Sequence, residues 1–246
     1  MEITLDVSAK RCSAVLGLIV GLLVAASIGA SFLALAPIHG PFLLKARHSV
    51  VRLLWLDGEC NIPSWFSSAL LLLCAFLLAV VAAAQRQLRD RHVGHWLALA
   101  VIFLFLSLDE TAQLHELSIA PLRSSFHTSG LFLYPWIIPA AICVAVFVLS
   151  YLGFLASLPR RSRWLFVAAG AIYVAGALGV EALSGQQESL HGEETVGYHA
   201  LITVEELLEM AGLVVFIYAL LDYLGRRFRL VCMRIAGPSD DPQAGT

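Results

Sequence analysis

Long apolar stretches alternate with short polar connections along the whole chain. A hydrocarbon layer of about 30 Å is crossed by about 20 helical residues. Six stretches reach that length, at approximately 13–36, 64–84, 95–115, 133–157, 164–184 and 200–224. This pattern predicts an all-α fold, a polytopic membrane bundle of about six transmembrane helices. We expect residues 1–236 to form a single transmembrane domain and residues 237–246, rich in Pro, Ser, Asp and Gly, to form a disordered tail.

Composition supports this prediction. Hydrophobic residues make up 59 % of the chain, charged residues only 14 %, and the mean hydropathy is +0.81. Soluble domains carry about 25 % charged residues, so a soluble domain is excluded. The sequence has no Gly-rich nucleotide-binding loop, no Gly-x-Ser-x-Gly elbow and no sign of nucleic-acid recognition. Membrane lipids are therefore the expected surroundings, and no nucleic-acid partner is expected.

The first apolar stretch has two readings. A signal peptide is one, because Lys10 and Arg11 precede the stretch and Ala34-Leu35-Ala36 resembles a cleavage site. The apolar run is, however, longer than the ~7–15 residues of a signal core. Pro37 would also follow the cut bond directly. A retained helix is the favoured interpretation.

Basic residues predict the orientation, because Lys and Arg collect in cytoplasmic loops. Twelve of the sixteen fall on one side of a six-span arrangement: Lys10, Arg11, Arg86, Arg89, Arg91, Arg160, Arg161, Arg163, Arg226, Arg227, Arg229 and Arg234. Both termini are therefore expected in the cytoplasm. Together with the short loops, this asymmetry favours a bacterial inner membrane as the location.

Acidic residues occur within the third, fifth and sixth stretches, where ionisable groups indicate functional sites. If the third stretch is one helix, Asp109 lies about 9 Å below His115 at 1.5 Å per residue. Glu205 and Glu206 lie about 9–10 Å below His199 by the same measure. Glu181 falls in the same layer. Three helices are thus predicted to converge on a pocket about two turns below the outer surface.

Helical spacing also predicts which of these side chains share a face. Asp109 and Glu116 are seven residues apart, as are His199 and Glu206, while Glu205 and Glu209 are one turn apart. The three stretches contain no Lys or Arg. Clustered carboxylates repel one another, so a bound cation, shared protons or a nearby base must compensate their charge.

Carboxylate together with imidazole suits a divalent metal ion such as Zn, Mn or Fe. The predicted metal ligands are Asp109, His115, Glu181, His199 and Glu206. The predicted catalytic residues are Glu110 and Glu205. The Glu-x-x-His signature of dinuclear helical sites is absent, since Glu110 and His115 are five apart, and so is His-Glu-x-x-His.

Three classes of function fit these residues. The favoured one is a metal-dependent membrane enzyme, a hydrolase or an oxidoreductase, whose lipid-linked or apolar substrate enters between helices. A proton- or cation-coupled transporter is the alternative. Against it, the halves show no inverted repeat, and Asp222 is the only acid in the inner half of a span. A structural or assembly subunit of a membrane complex is the third class.

Two connections carry further expectations. Residues 184–199, rich in Gly and acids, are predicted to form a loop over the pocket, where a lid function is one reading and a solvated connection the other. Residues 37–62 mix apolar and basic residues, including Phe42, Lys45, Arg47 and Trp55. Such a mixture is typical of an interfacial helix lying on the outer leaflet.

Two short motifs point to a family. Leu108-Asp109-Glu110 is followed by His115-Glu116, and residues 205–212 read Glu-Glu-Leu-Leu-Glu-Met-Ala-Gly. Together these motifs resemble uncharacterised bacterial multi-pass inner-membrane proteins. The resemblance spans the third to the sixth stretch. It implies the membrane fold and location but brings no activity with it.

Overall fold

The computed structural model describes residues 8–37, 40–56, 58, 60–126 and 128–228. The described ranges are helical and contain no β-strand. The predicted tail at 237–246 and the domain boundary at 236 lie outside them. The α-helices in these ranges are α1 (Ala9–Leu35), α2 (Pro41–Leu54), α3 (Ile62–Gln87), α4 (Val93–Ala112), α5 (Ile119–Phe126), α6 (Ile137–Ser157), α7 (Arg160–Val174), α8 (Glu181–His191) and α9 (Val196–Arg227).

Six helical stretches are long and apolar enough to cross a membrane, which confirms the predicted multi-pass bundle. They are α1, α3, α4, α6, α9 and the continuous stretch Arg160–His191, which joins α7 to α8. α3 and α9 form the centre, because half of the apolar window of each is buried, against 17–22 % in the other four. Leu78, Ile217 and Leu220 are fully buried there. The apolar side chains exposed on the outer helices are those that a lipid environment would cover.

The predicted interfacial segment forms a helix. α2 begins at Pro41 and has no buried residue, and Phe42 is 81 % exposed. Arg47 anchors this helix, since its Nη1 donates to the carbonyl oxygens of Ala34 and Ala36 at 3.2 and 3.0 Å. A guanidinium at this point satisfies carbonyls that a helix C-terminus leaves unpaired. α2 is thus tied to the end of α1 and presents its apolar side chains outward.

The third stretch ends earlier than predicted. α4 stops at Ala112, because Gln113 adopts the left-handed conformation (φ 54°) that terminates helices. His115 and Glu116 therefore do not lie on α4. The expected 9 Å rise from Asp109 to His115 is wrong, and so is the shared helical face of Asp109 and Glu116. The chain instead folds back, which brings His115 down to Asp109.

The predicted loop at 184–199 is also wrong for most of its length. α8 continues to His191 and α9 begins at Val196, so only residues 192–195 connect the two helices. Gly192 takes a positive φ of 82° after α8, and the Thr195 side chain accepts from the Tyr198 N–H to cap α9. A turn of four residues is too short to serve as a lid.

A π-helical segment, Ala175–Val180, interrupts the joined stretch between α7 and α8. It lies against the acidic turn of α9, where an added Cβ on Gly176 would come within 2.9 Å of the Glu205 carbonyl oxygen and 3.0 Å of Glu209 Cγ. Gly212 of α9 lies equally close to the backbone of Tyr173. Small residues allow such close helix approach in membranes. Gly176 and Gly212 thus allow the acid-bearing turn of α9 to pack closely against α7 and the π-helical segment. Such π segments are frequent at functional sites.

Candidate functional site

The chain reversal after α4 builds a carboxylate and histidine pair. Asp109 Oδ1 accepts the backbone N–H of His115 at 2.9 Å, and Asp109 Oδ2 lies 2.9 Å from His115 Nδ1. Both carboxylate oxygens are therefore engaged by the same residue. This arrangement fixes the imidazole ring and leaves its Nε2 as the nitrogen that can act as a base or bind a ligand.

An indole links this pair to α8. The ring of Trp136 lies 4.9 Å from that of His115, centroid to centroid. Its Nε1 donates to Glu181 Oε1 at 2.8 Å. His115 and Glu181, both predicted as site residues, thus contact the same indole ring. Glu116 lies close enough for its charge to act on both of them.

The glutamates of three spans interact electrostatically with Glu209. The charges of Glu206, Glu110, Glu205 and Glu181 all act on it. α4 supplies Glu110, α8 supplies Glu181 and α9 supplies the others. Acids of α4, α8 and α9 are therefore near enough to interact electrostatically, and the pocket predicted between these helices stays a prediction. Glu209, on which the other four act, was not among the first candidates from the sequence.

Hydroxyl groups hold two of these glutamates. Ser67 of α3 hydrogen-bonds the side chain of Glu110. Ser184 of α8 lies with its Oγ 3.3 Å from Glu205 Oε2 and 2.9 Å from the carbonyl oxygen of Glu181. Both serines are buried. Each carboxylate therefore has a serine hydroxyl of a neighbouring helix within hydrogen-bonding range.

His199 lies in different surroundings from the acids. Its ring makes edge contacts with Trp55 at 5.1 Å and with Tyr198 at 5.8 Å. Because α9 rises 1.5 Å per residue, His199 stands roughly 10 Å above Glu206 along the helix. These contacts place His199 beside Trp55 at the end of α2, and its predicted position at the mouth of the site stays a prediction.

Sequence reasoning missed a polar group that reaches the Tyr198 neighbour of His199. Tyr134 donates to Glu188 Oε2, and its hydroxyl lies 3.3 Å from that of Tyr198. Burial and the bond to Glu188 raise the pKa of Tyr134, so it stays a neutral donor. Tyrosines near a membrane surface give no separate sequence signal, because aromatic residues are common at both interfaces.

The side chains of the described residues are not arranged as a metal-binding site. Among the described residues, no three His, Cys, Asp or Glu side chains are grouped as ligands of one ion. The carboxylates nevertheless need a counter-charge, because the sequence has no Lys or Arg at 93–122 or at 164–225. Acids on α4, α8 and α9 therefore meet without a basic residue from those segments. What balances them chemically is the central question about this site.

The fold and the acidic cluster define an all-helical, multi-pass membrane protein with a polar site between its spans. A family model described as "Domain of unknown function (DUF8692)" matches residues 15–224, and the chain belongs to that family. The match begins within α1 and ends near the end of α9, so it includes all the site residues described above. No curated protein and no solved structure matches the chain.

Trp136→Phe should weaken the link between His115 and Glu181. The phenyl ring keeps the stacking surface but removes the N–H that Glu181 accepts. A lost hydrogen bond to a half-buried carboxylate is expected to lower the free energy of unfolding by about 1–3 kcal/mol. Thermal unfolding in detergent, followed by circular dichroism, measures the change. Trp164→Phe is the matched control, because Trp164 is 62 % exposed; an equal loss in both variants would contradict the assigned role.

Proposed function

We propose that this protein is a metal-dependent membrane enzyme whose site lies among α4, α8 and α9. The observation that carries the proposal is the electrostatic interaction of glutamates from three spans with Glu209, together with the Asp109–His115 pair, on which Glu110 also acts. A divalent cation, Zn, Mn or Fe, is the counter-charge that suits carboxylates and imidazole together. Buried carboxylates in one cluster otherwise need shared protons to coexist.

In this proposal the ligands are His115, through its Nε2, with Glu181 and Glu206. Trp136 holds one oxygen of Glu181, which leaves Oε2 for a ligand. Asp109 binds the other nitrogen of the imidazole, which is the usual outer partner of a metal-bound histidine. We therefore assign Asp109 as a positioning residue. His199 lies two helical turns above Glu206, where a substrate would pass on its way to the metal.

Glu110 and Glu205 are the proposed proton-transfer residues. Each has a serine hydroxyl within hydrogen-bonding range, Ser67 for Glu110 and Ser184 for Glu205. A carboxylate held in this way beside a Lewis acid can accept a proton from water or from a substrate hydroxyl. Hydrolysis and oxidation are the reaction classes that such a site supports.

The setting favours an apolar or lipid-linked substrate. The site lies between apolar helices rather than in a polar domain, and the lipid-facing surface of α4 carries exposed Leu104, Phe105 and Leu108 close to Asp109. A substrate dissolved in the bilayer would reach the carboxylates sideways between spans. Its reactive group would meet the acids at the level of Glu110.

Elemental analysis of protein purified in mild detergent without chelator tests the metal. One or two equivalents of Zn, Mn or Fe are expected in the parent protein. Glu206→Gln and Glu181→Gln should each lose most of that metal, because a carboxamide is a much poorer ligand. Glu194→Gln is the control, since Glu194 is an exposed acid in the turn between α8 and α9.

Absence of metal from the parent, even after incubation with each ion, would overturn the metal proposal. In that case the carboxylates must share protons, and proton-coupled transport becomes the function to test, by proton uptake into vesicles that contain the protein. Equal metal loss in Glu194→Gln would show that the metal binds to surface acids and would equally contradict the site.

A further inference from the structure

Tyr173 of α7 lies at a close crossing of α7 and α9. An added Cβ on Gly212 would lie 2.9 Å from Tyr173 Cβ and 2.8 Å from its backbone nitrogen. The side chain of Tyr173 therefore starts on the side of α7 that faces α9. Gly212 follows Glu209 by three residues, which is less than one helical turn. Tyr173 thus meets α9 at the level of its acidic turn.

The π-helical segment places Tyr173 and Glu181 on one face of the joined stretch. The two residues are eight apart. In a regular α-helix, residues seven apart share a face and residues eight apart do not. The segment Ala175–Val180 lies between them, and its i→i+5 hydrogen bonds add one residue to a turn. Tyr173 and Glu181 are therefore placed as residues seven apart would be. Gly176, within the segment, packs against Glu209.

The hydroxyl of Tyr173 lies in the electric field of the acids of both α4 and α9. The charges that act on it are those of Glu209, Glu110, Glu206 and Asp109. Glu110 and Asp109 belong to α4, and the other two belong to α9. A phenol of α7 is therefore part of the same cluster as the carboxylates.

This hydroxyl is free to bind a further molecule. It makes no hydrogen bond with any residue in the described part of the chain. It is also not among the polar atoms of that part that are fully enclosed without a partner. The Tyr173 oxygen therefore retains accessible surface, although it lies deep in the bundle. A molecule that enters the cluster can accept a hydrogen bond from it.

The charge of the cluster restricts which molecules can enter. Its carboxyl groups are those of Asp109, Glu110, Glu181, Glu205, Glu206 and Glu209, and residues 93–122 and 164–225 contain no Lys or Arg. One divalent cation neutralises two of these groups. Whether the remaining carboxyls are ionised or protonated, none of them attracts an anion. A phosphate-bearing lipid would lose its hydration in an apolar layer without a compensating attraction, whereas an uncharged lipid would not.

We propose that the substrate of this site is an uncharged lipid whose carbonyl or hydroxyl oxygen accepts a hydrogen bond from Tyr173. The inference rests on the proposed membrane enzyme and specifies its substrate class. Tyr173 holds the lipid oxygen within the cluster, and the carboxylates select against lipids that carry a phosphate or a carboxylate. Esters, amides and alcohols with long apolar chains belong to this class.

Native mass spectrometry of the full-length protein, purified in mild detergent without chelator, tests the proposal by measuring lipid affinity. The probes are dioctanoylglycerol and dioctanoyl phosphatidic acid, which differ only in the phosphate group. Dioctanoylglycerol should bind about tenfold or more tightly than the phosphatidic acid, because like charges oppose the latter. Tyr173→Phe should weaken dioctanoylglycerol binding by about three- to tenfold, as expected for the loss of one neutral hydrogen bond. The metal content of the same samples should not change.

Tyr218→Phe is the matched control. It removes a phenol that accepts a hydrogen bond from Arg161 at the other end of α9, and its affinity for dioctanoylglycerol should equal that of the parent. The phenyl ring of Tyr173→Phe still fills the crossing with Gly212. Its melting temperature in the same detergent should therefore stay close to that of the parent, which separates the loss of the hydroxyl from a loss of packing.

Three results would overturn the proposal. The first is equal binding of the two probes, or binding of neither, by a parent protein that holds its metal; the metal proposal would then survive without this substrate class. The second is equal affinity of Tyr173→Phe and Tyr218→Phe for dioctanoylglycerol. The third is a loss of metal from Tyr173→Phe, since the phenol would then act on the metal. A parent that holds no metal but prefers dioctanoylglycerol would overturn the metal proposal alone.

Discussion

Gly212→Ala is expected to destabilise the bundle by about 1–3 kcal/mol, the usual cost of overpacking. Its new methyl group would lie 2.8 Å from the backbone nitrogen of Tyr173 and 3.0 Å from the carbonyl oxygen of Ala169. Backbone atoms cannot rotate away as a side-chain end can. α7 and α9 must therefore separate, and the acidic turn of α9 moves with them.

Gly225→Ala is the control on the same helix. Nothing lies within 4 Å of an added Cβ at Gly225, and alanine favours a helix over glycine by roughly 0.5–1 kcal/mol. This variant should therefore be neutral or slightly more stable than the parent. Thermal unfolding of both variants in the same detergent measures the difference. Gly212→Ala with the stability of Gly225→Ala would show that the close crossing of α7 and α9 is absent.

The spans could be predicted because their signal is local. Apolar length alone located six helices, and the mixture of apolar and basic residues around Lys45 and Arg47 correctly indicated a helix in that connection. The acids of α4, α8 and α9 were also predicted to lie at one level, but that depth match assumed a helix that continues to His115, and α4 ends at Ala112. The prediction of the spans needs only the length of helix that crosses an apolar layer.

The local geometry of the site could not be predicted in the same way. Whether α4 ends at Ala112 or continues to His115 depends on the left-handed backbone of Gln113 and on two hydrogen bonds to Asp109. Gln has no special preference for that conformation, unlike Gly or Asn. The π segment beside Gly176 is likewise a result of packing against α9. The hydrogen bond from Trp136 to Glu181 joins residues 45 apart in the sequence, and no local pattern indicates such a pairing.

The longer α8 illustrates the same limit. Residues 184–191 carry Gly185 and several polar side chains, a composition that favours a loop. In the structure Gly185 packs against Tyr134, where an added Cβ would lie 3.2 Å from the tyrosine ring. Glu188, one turn further along α8, is hydrogen-bonded to the same tyrosine. Tertiary contacts thus extend the helix, and the site is closed by helices where the sequence suggested a lid.

Asp109→Asn should remove the charge that holds His115. Burial lowers the pKa of His115, but the hydrogen bonds and the charge of Asp109, with smaller effects of Glu116 and Glu110, outweigh burial and raise it above its usual value. A group whose pKa is raised by folding makes its full contribution to the free energy of unfolding below its unfolded pKa, about 6.5 for histidine. That contribution is lost as pH rises through the folded pKa. At pH 6 the variant should therefore be less stable by about 1.5–3 kcal/mol, the range for charged hydrogen bonds.

The pH dependence separates this effect from a general loss of packing. As pH rises through the raised pKa of His115 the imidazole loses its charge, and an asparagine amide can still hydrogen-bond the neutral ring, so the difference in the free energy of unfolding between parent and variant should be smaller at pH 9 than at pH 6. Thermal unfolding at the two pH values measures the gap, with Glu194→Gln as the control for loss of one outer acid. A gap that stays the same at both pH values would show that Asp109 acts through shape alone. A gap that narrows would establish a charged Asp109–His115 pair at the end of α4, with the imidazole protonated at pH 6 and free to use Nε2 once it is neutral.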